Sequence, residues 1–496
     1  MYTEQAWIIK RASLTPTKLA LINLETNEQW TYQQLASEIA KWCHFFEQQN
    51  LQAGDRVAVF ARNHIHLFAI LFACGLRGLI YVPLNWRLST EELTDILEDA
   101  TPSYLIYDEE MQCPILLKNM QSTKFQSEIT APPTIRSMDL DDSWLMIYTG
   151  GTTGKAKGVV LSYNSINWNA INTIISWGLS ENDCTLNYMP MFHTGGINAL
   201  CIPLLMAGGT VIIGDKFDAE NTLMAINHYH TTISLFVPTM YQAMIATNYF
   251  KENTFPTVKV FLSGGAPCPL PIYEAFSTKG LYFKEGYGLT EAGPNNFYIS
   301  KEVAYVKKGS VGKSMQFNEV KIVNKVGETC EPNQIGELLV KGKHMFRFYW
   351  NNPHETAQSI QNGWLKTGDL AKMDRDGYYY IVGRKKEMII CGGENVYPQE
   401  VEQCILRHPF VTEVAVIGAP DAYWGEVILA FIVSQHQTKA ILEEIELLCK
   451  THLGRYKIPK TIFYLDELPK TVVGKIDKQA LLLKFKDKLD QAINGL

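Results

Sequence analysis

Val57-Ala-Val-Phe60, Leu79-Ile-Tyr-Val82 and Tyr104-Leu-Ile-Tyr107 are short apolar runs, separated by a helix-like stretch to Leu76 and an amphipathic one from Thr90. Short apolar runs alternating with longer amphipathic segments build a parallel sheet covered by helices. The pattern returns at Val258-Lys-Val-Phe-Leu262, with a helix expected from about Leu270 and a strand near Leu281. A large α/β body is expected. Gly195 to Gly214 carries no charge and is about as long as a membrane span, but Pro203 interrupts it and Gly208-Gly209 sets off the strand-like Thr210-Val-Ile-Ile213. A buried helix followed by a buried strand is the better fit, and no integral membrane span is expected.

The organisation changes after Tyr378-Tyr-Tyr-Ile-Val382, at the charged, glycine-flanked stretch Gly383-Arg-Lys-Lys-Glu-Met-Ile-Ile-Cys-Gly-Gly393. Beyond it the pattern is helix, strand, strand, helix, strand. The expected division is therefore a body over 1–385, built of several subdomains, and a small mobile α+β domain over 386–496. The 496 residues exceed one ordinary core and suggest about two to four domain-sized units. A composition of 46% hydrophobic and 19% charged residues excludes a disordered chain, and 51 acidic against 45 basic side chains argue against nucleic acid as the main partner. The ten cysteines are scattered without zinc spacing and read as reduced, mostly buried thiols. The N-terminal stretch lacks the basic-then-apolar order of a signal peptide, so a cytoplasmic location is expected.

The strongest chemical signal is Tyr148-Thr-Gly-Gly-Thr-Thr-Gly-Lys-Ala-Lys-Gly158, directly after the apolar strand Trp144-Leu-Met-Ile147. Gly150, Gly151 and Gly154 let backbone N–H groups approach an anion. Thr149, Thr152 and Thr153 add hydroxyls, and Lys155 and Lys157 add positive charge. It is not a P-loop, because Ala156 follows Gly154-Lys155 and Val159-Val-Leu161 continues as strand where a P-loop opens a helix. A plain glycine-rich hairpin is the bland alternative.

Six further segments accompany it in order: Met189-Pro-Met-Phe-His-Thr-Gly-Gly196, Ser263-Gly-Gly-Ala-Pro267, Glu285-Gly-Tyr-Gly-Leu-Thr-Glu291, Thr367-Gly-Asp369, Gly383-Arg384 running into Gly392-Gly-Glu-Asn-Val-Tyr-Pro398, and Pro469-Lys-Thr-Val-Val-Gly-Lys475. Together they resemble the motif series of the adenylate-forming superfamily of acyl-CoA synthetases, adenylation domains and luciferases, over nearly the whole chain.

The resemblance implies ATP, Mg2+ and coenzyme A as cofactors. It makes Glu291 the Mg2+ carboxylate, in keeping with the preference of that hard cation for a carboxylate plus phosphate oxygens. Thr290 donates to phosphate. Tyr287 and Gly288, with Gly264, Gly265 and Ala266 opposite, border the adenine, while Asp369 accepts the ribose hydroxyls and Arg384 is a second contact to ribose or phosphate. Lys475 is the catalytic lysine that bridges the substrate carboxylate and the α-phosphate. His193 gates the acyl pocket, Lys386 is the hinge, and Gly392-Gly393 line the pantetheine channel.

The implied reaction is that of an AMP-forming acid–CoA ligase, in which an acyl-adenylate is formed first and coenzyme A then displaces AMP. A stand-alone adenylating enzyme that loads a carrier-protein thiol and a catalytically weak adenylate-binding protein remain as alternatives. The partners implied are a small-molecule carboxylic acid and coenzyme A, with a carrier protein or a homodimer left open. Where amino-acid-activating relatives carry an aspartate this chain has His193, and Phe236-Val-Pro-Thr-Met240 adds no charge. The acid is expected to be apolar, a fatty acid slightly ahead of an aryl acid. The chain departs from the family at Gly150, where serine is usual, at Ala156, where proline is common, and at Phe348, where glycine is common. The missing hydroxyl at Gly150 implies weaker nucleotide binding unless the backbone compensates.

Overall fold

The computed structural model describes residues 4–111, 113–115, 117–122, 132–150, 156–421, 423–470 and 476–485. Its central sheet has seven strands in the order Phe348–Tyr349, Lys157–Ser162, Ser143–Thr149, Ile80–Leu84, Arg56–Phe60, Tyr104–Tyr107 and Met120–Ser122. The three runs that opened the sequence analysis are neighbours in it and run parallel. Two helices, His66–Arg77 and Thr90–Ala100, make the crossovers. The first is apolar all round and almost wholly buried, as a helix packed on every side must be. The second starts where Ser89 and Glu92 form a capping box.

Two smaller sheets complete the α/β part. Leu19–Asn23 and Cys184–Asn187 flank Thr210–Ile213 in one, and Ile233–Phe236, Val260–Ser263 and Phe283–Glu285 form an all-parallel trio in the other. The uncharged stretch resolves into the helices Thr194–Asn198 and Cys201–Ala207 and the strand Thr210–Ile213. No helix among the described residues is long and apolar enough to cross a membrane. An antiparallel sheet follows, in which Trp364–Met373 pairs with Gly336–Lys341 on one side and with Tyr379–Arg384 on another.

Beyond residue 386 the helices Pro398–Ile405 and Lys439–His452 pack on the long hairpin Val411–Asp421 and Gly425–Ser434, with Thr461–Tyr464 added parallel. The helix, strand, strand, helix, strand order is as expected from the sequence. A short hairpin, Ile389–Cys391 with Glu394–Val396, precedes it and carries Gly392 and Gly393 at its turn. All ten cysteines are free, and seven of them are buried.

Candidate active site

Ligands of open α/β sheets gather at the carboxyl ends of the strands. At that end of the parallel trio, Val260–Ser263 runs into Gly264-Gly265-Ala266, and Phe283–Glu285 runs into the segment ending at Glu291. The two segments are tied where Gly286 N donates to Ser263 O at 2.8 Å. Behind them Glu285 accepts from Cys268 N at 3.2 Å and from the Tyr273 hydroxyl at 3.0 Å, and burial pushes its carboxyl up to about 8. Gly288 has no alternative, since a Cβ there would meet Pro294 C at 2.3 Å.

Antiparallel register sets Asp369 directly opposite Arg384. Arg384 Nε reaches Asp369 Oδ1 at 2.8 Å, and the Tyr287 hydroxyl donates to Asp369 Oδ2 at 2.5 Å. Burial and the neighbouring carboxylate drive the Tyr287 phenol far above its usual range, so it stays a donor. Thr367 Oγ1 accepts from Asp369 N at 3.0 Å and fixes the backbone. Tyr287, Asp369 and Arg384, more than eighty residues apart in part, thus form one hydrogen-bonded group.

The opposite end is built on Ser143–Thr149 and Lys157–Ser162, which pair antiparallel with Thr149 opposite Lys157. Their connection is therefore a hairpin in topology. Gly151, Thr152, Thr153, Gly154 and Lys155 lie outside the described residues, as does Lys475. A Cβ on Gly150 would meet nothing within 4 Å. Lys157 Nζ contacts Glu355 Oε1 at 2.5 Å. Glu291 lies in the tight turn Thr290–Ala292, beside the buried Thr290, and its Oε1 accepts from the Tyr349 hydroxyl at 2.8 Å. Tyr349 and Glu355 were missed in the sequence. Both belong to the run after Phe348, but their partners are 58 and 198 residues away, beyond any local spacing rule.

His193 precedes the Thr194–Asn198 helix, its ring 4.7 Å from that of Phe192. Asp218 caps the helix Ala219–His228, its side chain accepting from Asn221 N at 2.9 Å. Lys386 occupies the turn Lys385–Glu387 between two ion pairs, Lys385 with Glu337 at 2.7 Å and Glu387 with Lys478 at 3.3 Å. Gly392 has φ +60 and donates to Trp424 O at 2.8 Å, so its hydrogen bond stays within the C-terminal sheet.

The residues present suit a magnesium nucleotide. Asp369 and Arg384 form a hydrogen-bonded pair, Gly150 leaves room for an anion, and among the described residues only one oxygen of Glu291 is engaged. The chain belongs to the AMP-binding enzyme family, whose model matches residues 8–350, with the model of the family's C-terminal domain matching 400–475. Feruloyl-CoA synthase of an Amycolatopsis species is 35% identical, covering 97% of this chain and 98% of the relative. Indoleacetate–CoA ligase of Aromatoleum aromaticum is 34% identical over 95% and 96%. Among solved structures, o-succinylbenzoate CoA synthetase of Bacillus subtilis with its acyl-adenylate superposes with a TM-score of 0.87 at 33% identity, covering 96% of this chain and 97% of that one. The same enzyme has been solved with ATP and magnesium ion. This chain is accordingly an AMP-forming acid–CoA ligase that uses ATP, Mg2+ and coenzyme A.

Proposed function

We propose that the enzyme activates an apolar aryl carboxylic acid, and that its site residues act as follows. Asp369 and Arg384 hold the ribose, Tyr287 and Gly264 to Ala266 enclose the adenine, and Thr149, Gly150, Thr290 and Lys157 meet the phosphates together with the loop 151–155. Glu291 would hold Mg2+, which when bound neutralises phosphate charge. Lys475 neutralises charge at the attacked phosphorus. The body extends over 1–385 and the small domain over 386–496. Lys386 turns between them to exchange Lys475 for the Gly392-Gly393 face once the adenylate has formed. The cytoplasm suits ten unpaired thiols.

The aryl acid now stands ahead of the fatty acid expected from the uncharged walls alone. The observation that carries this is the edge-on pairing of the Phe192 and His193 rings just before the helix Thr194–Asn198, where amino-acid-activating members of the family carry a carboxylate. The full-length likeness to ligases named for feruloyl and indoleacetate substrates supports it. The test is AMP release with ATP and coenzyme A across ferulic, indoleacetic and 2-succinylbenzoic acids, fatty acids and amino acids. Aryl acids should turn over fastest. Faster turnover of fatty or amino acids would overturn the proposal, and pyrophosphate release that needs a carrier protein would favour the stand-alone adenylating alternative.

A further inference from the structure

Tyr349 touches both halves of the phosphate end. Its backbone pairs with Val159, two residues beyond Lys157, and its amide donates to Thr356 Oγ1 at 2.9 Å. The Lys157 ammonium lies 5.5 Å from the centre of its ring while bound to Glu355, the residue before Thr356. The hydroxyl then donates to Glu291 Oε1 at 2.8 Å, and Glu291 O is held separately by Phe346 N at 2.8 Å. A phenol is a hydrogen-bond donor at neutral pH, and an ionised carboxylate can only accept. One ring therefore fixes the strand leaving the phosphate loop, the lysine on that strand and the carboxylate across from it. Phe348, the departure from the family glycine, pairs with Val160 and packs beside Trp350 on the other side of the same strand.

We infer that Tyr349 is a positioning residue for metal binding: its hydroxyl fixes one oxygen of Glu291, and the other would be left to take Mg2+. The inference rests on the metal role proposed for Glu291. A carboxylate on an unanchored side chain would have to give up rotamer freedom on taking the metal, whereas one held by a charge-assisted hydrogen bond has already lost it. Glu355 has a matching part, keeping Lys157 extended over the ring.

The test uses Mn2+ as the probe, with ATP and without any acid, and follows free Mn2+ by electron paramagnetic resonance. Tyr349→Phe keeps the ring and removes only the hydroxyl. It should weaken ATP-dependent Mn2+ binding roughly tenfold, the scale of one hydrogen bond to a charged group. Glu291→Gln should weaken it at least as much, and adding Tyr349→Phe to Glu291→Gln should change little further, because the hydroxyl acts through that carboxylate. Unchanged Mn2+ affinity in Tyr349→Phe, with Glu291→Gln impaired, overturns the inference and leaves the metal role of Glu291 standing. Fully additive losses overturn it as well. Unchanged affinity in Glu291→Gln removes the metal role itself and the inference with it.

Discussion

Both carboxylate oxygens of Asp369 are held by protein partners, Tyr287 and Arg384, whereas a Cβ built on Gly150 would meet no atom within 4 Å. The first end of the site is set by strand register before any nucleotide arrives. The second is described only at its paired flanks, Ser143–Thr149 and Lys157–Ser162, and at Gly150. Groups that are already paired cost little further ordering when a ligand binds, but removing the buried Asp369 carboxylate takes away the acceptor that its partners share. A glycine facing open space has the reverse property. Substitution there orphans nothing and can add a contact.

The largest effect should follow from Asp369→Ala, which leaves the Arg384 guanidinium and the Tyr287 hydroxyl without their shared acceptor. Adenylate formation, followed as pyrophosphate release, is expected to fall by about a hundredfold or more. A loss of less than about tenfold would mean that the ribose end is not preorganised in the sense argued and that the contrast with Gly150 is false. Next in size is Lys386→Pro. The ion pairs on either side of it join Lys385 to Glu337 and Glu387 to Lys478. Proline at the residue between them fixes φ near −65° and should hinder rotation. Pyrophosphate release should stay within a few-fold of wild type, while thioester formation from supplied acyl-adenylate should drop at least about tenfold. Thioester formation at the wild-type rate would exclude Lys386 as the hinge.

The elements that surround the site were legible where a local signal fixed them. The Val57–Tyr107 pattern gave strand and helix positions to within about two residues, and the Ser89 capping box and Asp218 cap are short-range hydrogen bonds that residue type announces. The segments proposed to meet the nucleotide were legible as motifs. What the sequence hid was register and reach. Asp369 faces Arg384 because a turn at Asp374–Gly377 sets the pairing of two strands, and neither residue's type says so. Tyr349 was passed over for its neighbour Phe348, since a tyrosine after an apolar residue reads as core until the 2.8 Å bond to Glu291 is seen. The hairpin bearing Gly392 and Gly393 was masked by its three-residue strands, too short for a period to show.

A smaller change, and one of opposite sign, is expected from Gly150→Ser. The position is exposed, its φ is not left-handed, and the new Cβ meets no neighbour within 4 Å, so the fold should accept it. The added hydroxyl can donate to phosphate, a bond whose full value is about 1.5 to 3 kcal/mol, reduced by the rotor freedom it loses. The KM for ATP in pyrophosphate release should fall roughly three- to tenfold with kcat little changed. An unchanged KM would show that the more mobile glycine backbone already supplies the missing interaction, and the open end of the site would then be as complete as the ribose end.

The smallest effect concerns stability behind the Gly264–Ala266 turn, where burial pushes the Glu285 carboxyl up to about 8. The folded protein therefore holds a proton there that the unfolded chain releases at an ordinary carboxylate pH. Because the folded pKa lies above the unfolded one, this group's contribution is fully present below about pH 4.5 and is lost progressively as pH rises through about 8. The groups facing it are the Tyr273 hydroxyl and Cys268. Its neighbour Lys284 stands over the Trp177 ring at 3.9 Å, and burial lowers its ammonium to about 7, which gives an opposite pH trend of its own. Comparison with Glu285→Gln cancels that trend and isolates the carboxyl. The amide oxygen of Gln can still accept from Cys268 N, and its NH2 can donate to the Tyr273 oxygen. The variant should melt like wild type near pH 4.5 and increasingly above it as pH approaches 8, by roughly 2 °C or more, with the difference constant at higher pH. A difference that is flat across that window would mean that Glu285 is charged in the folded protein.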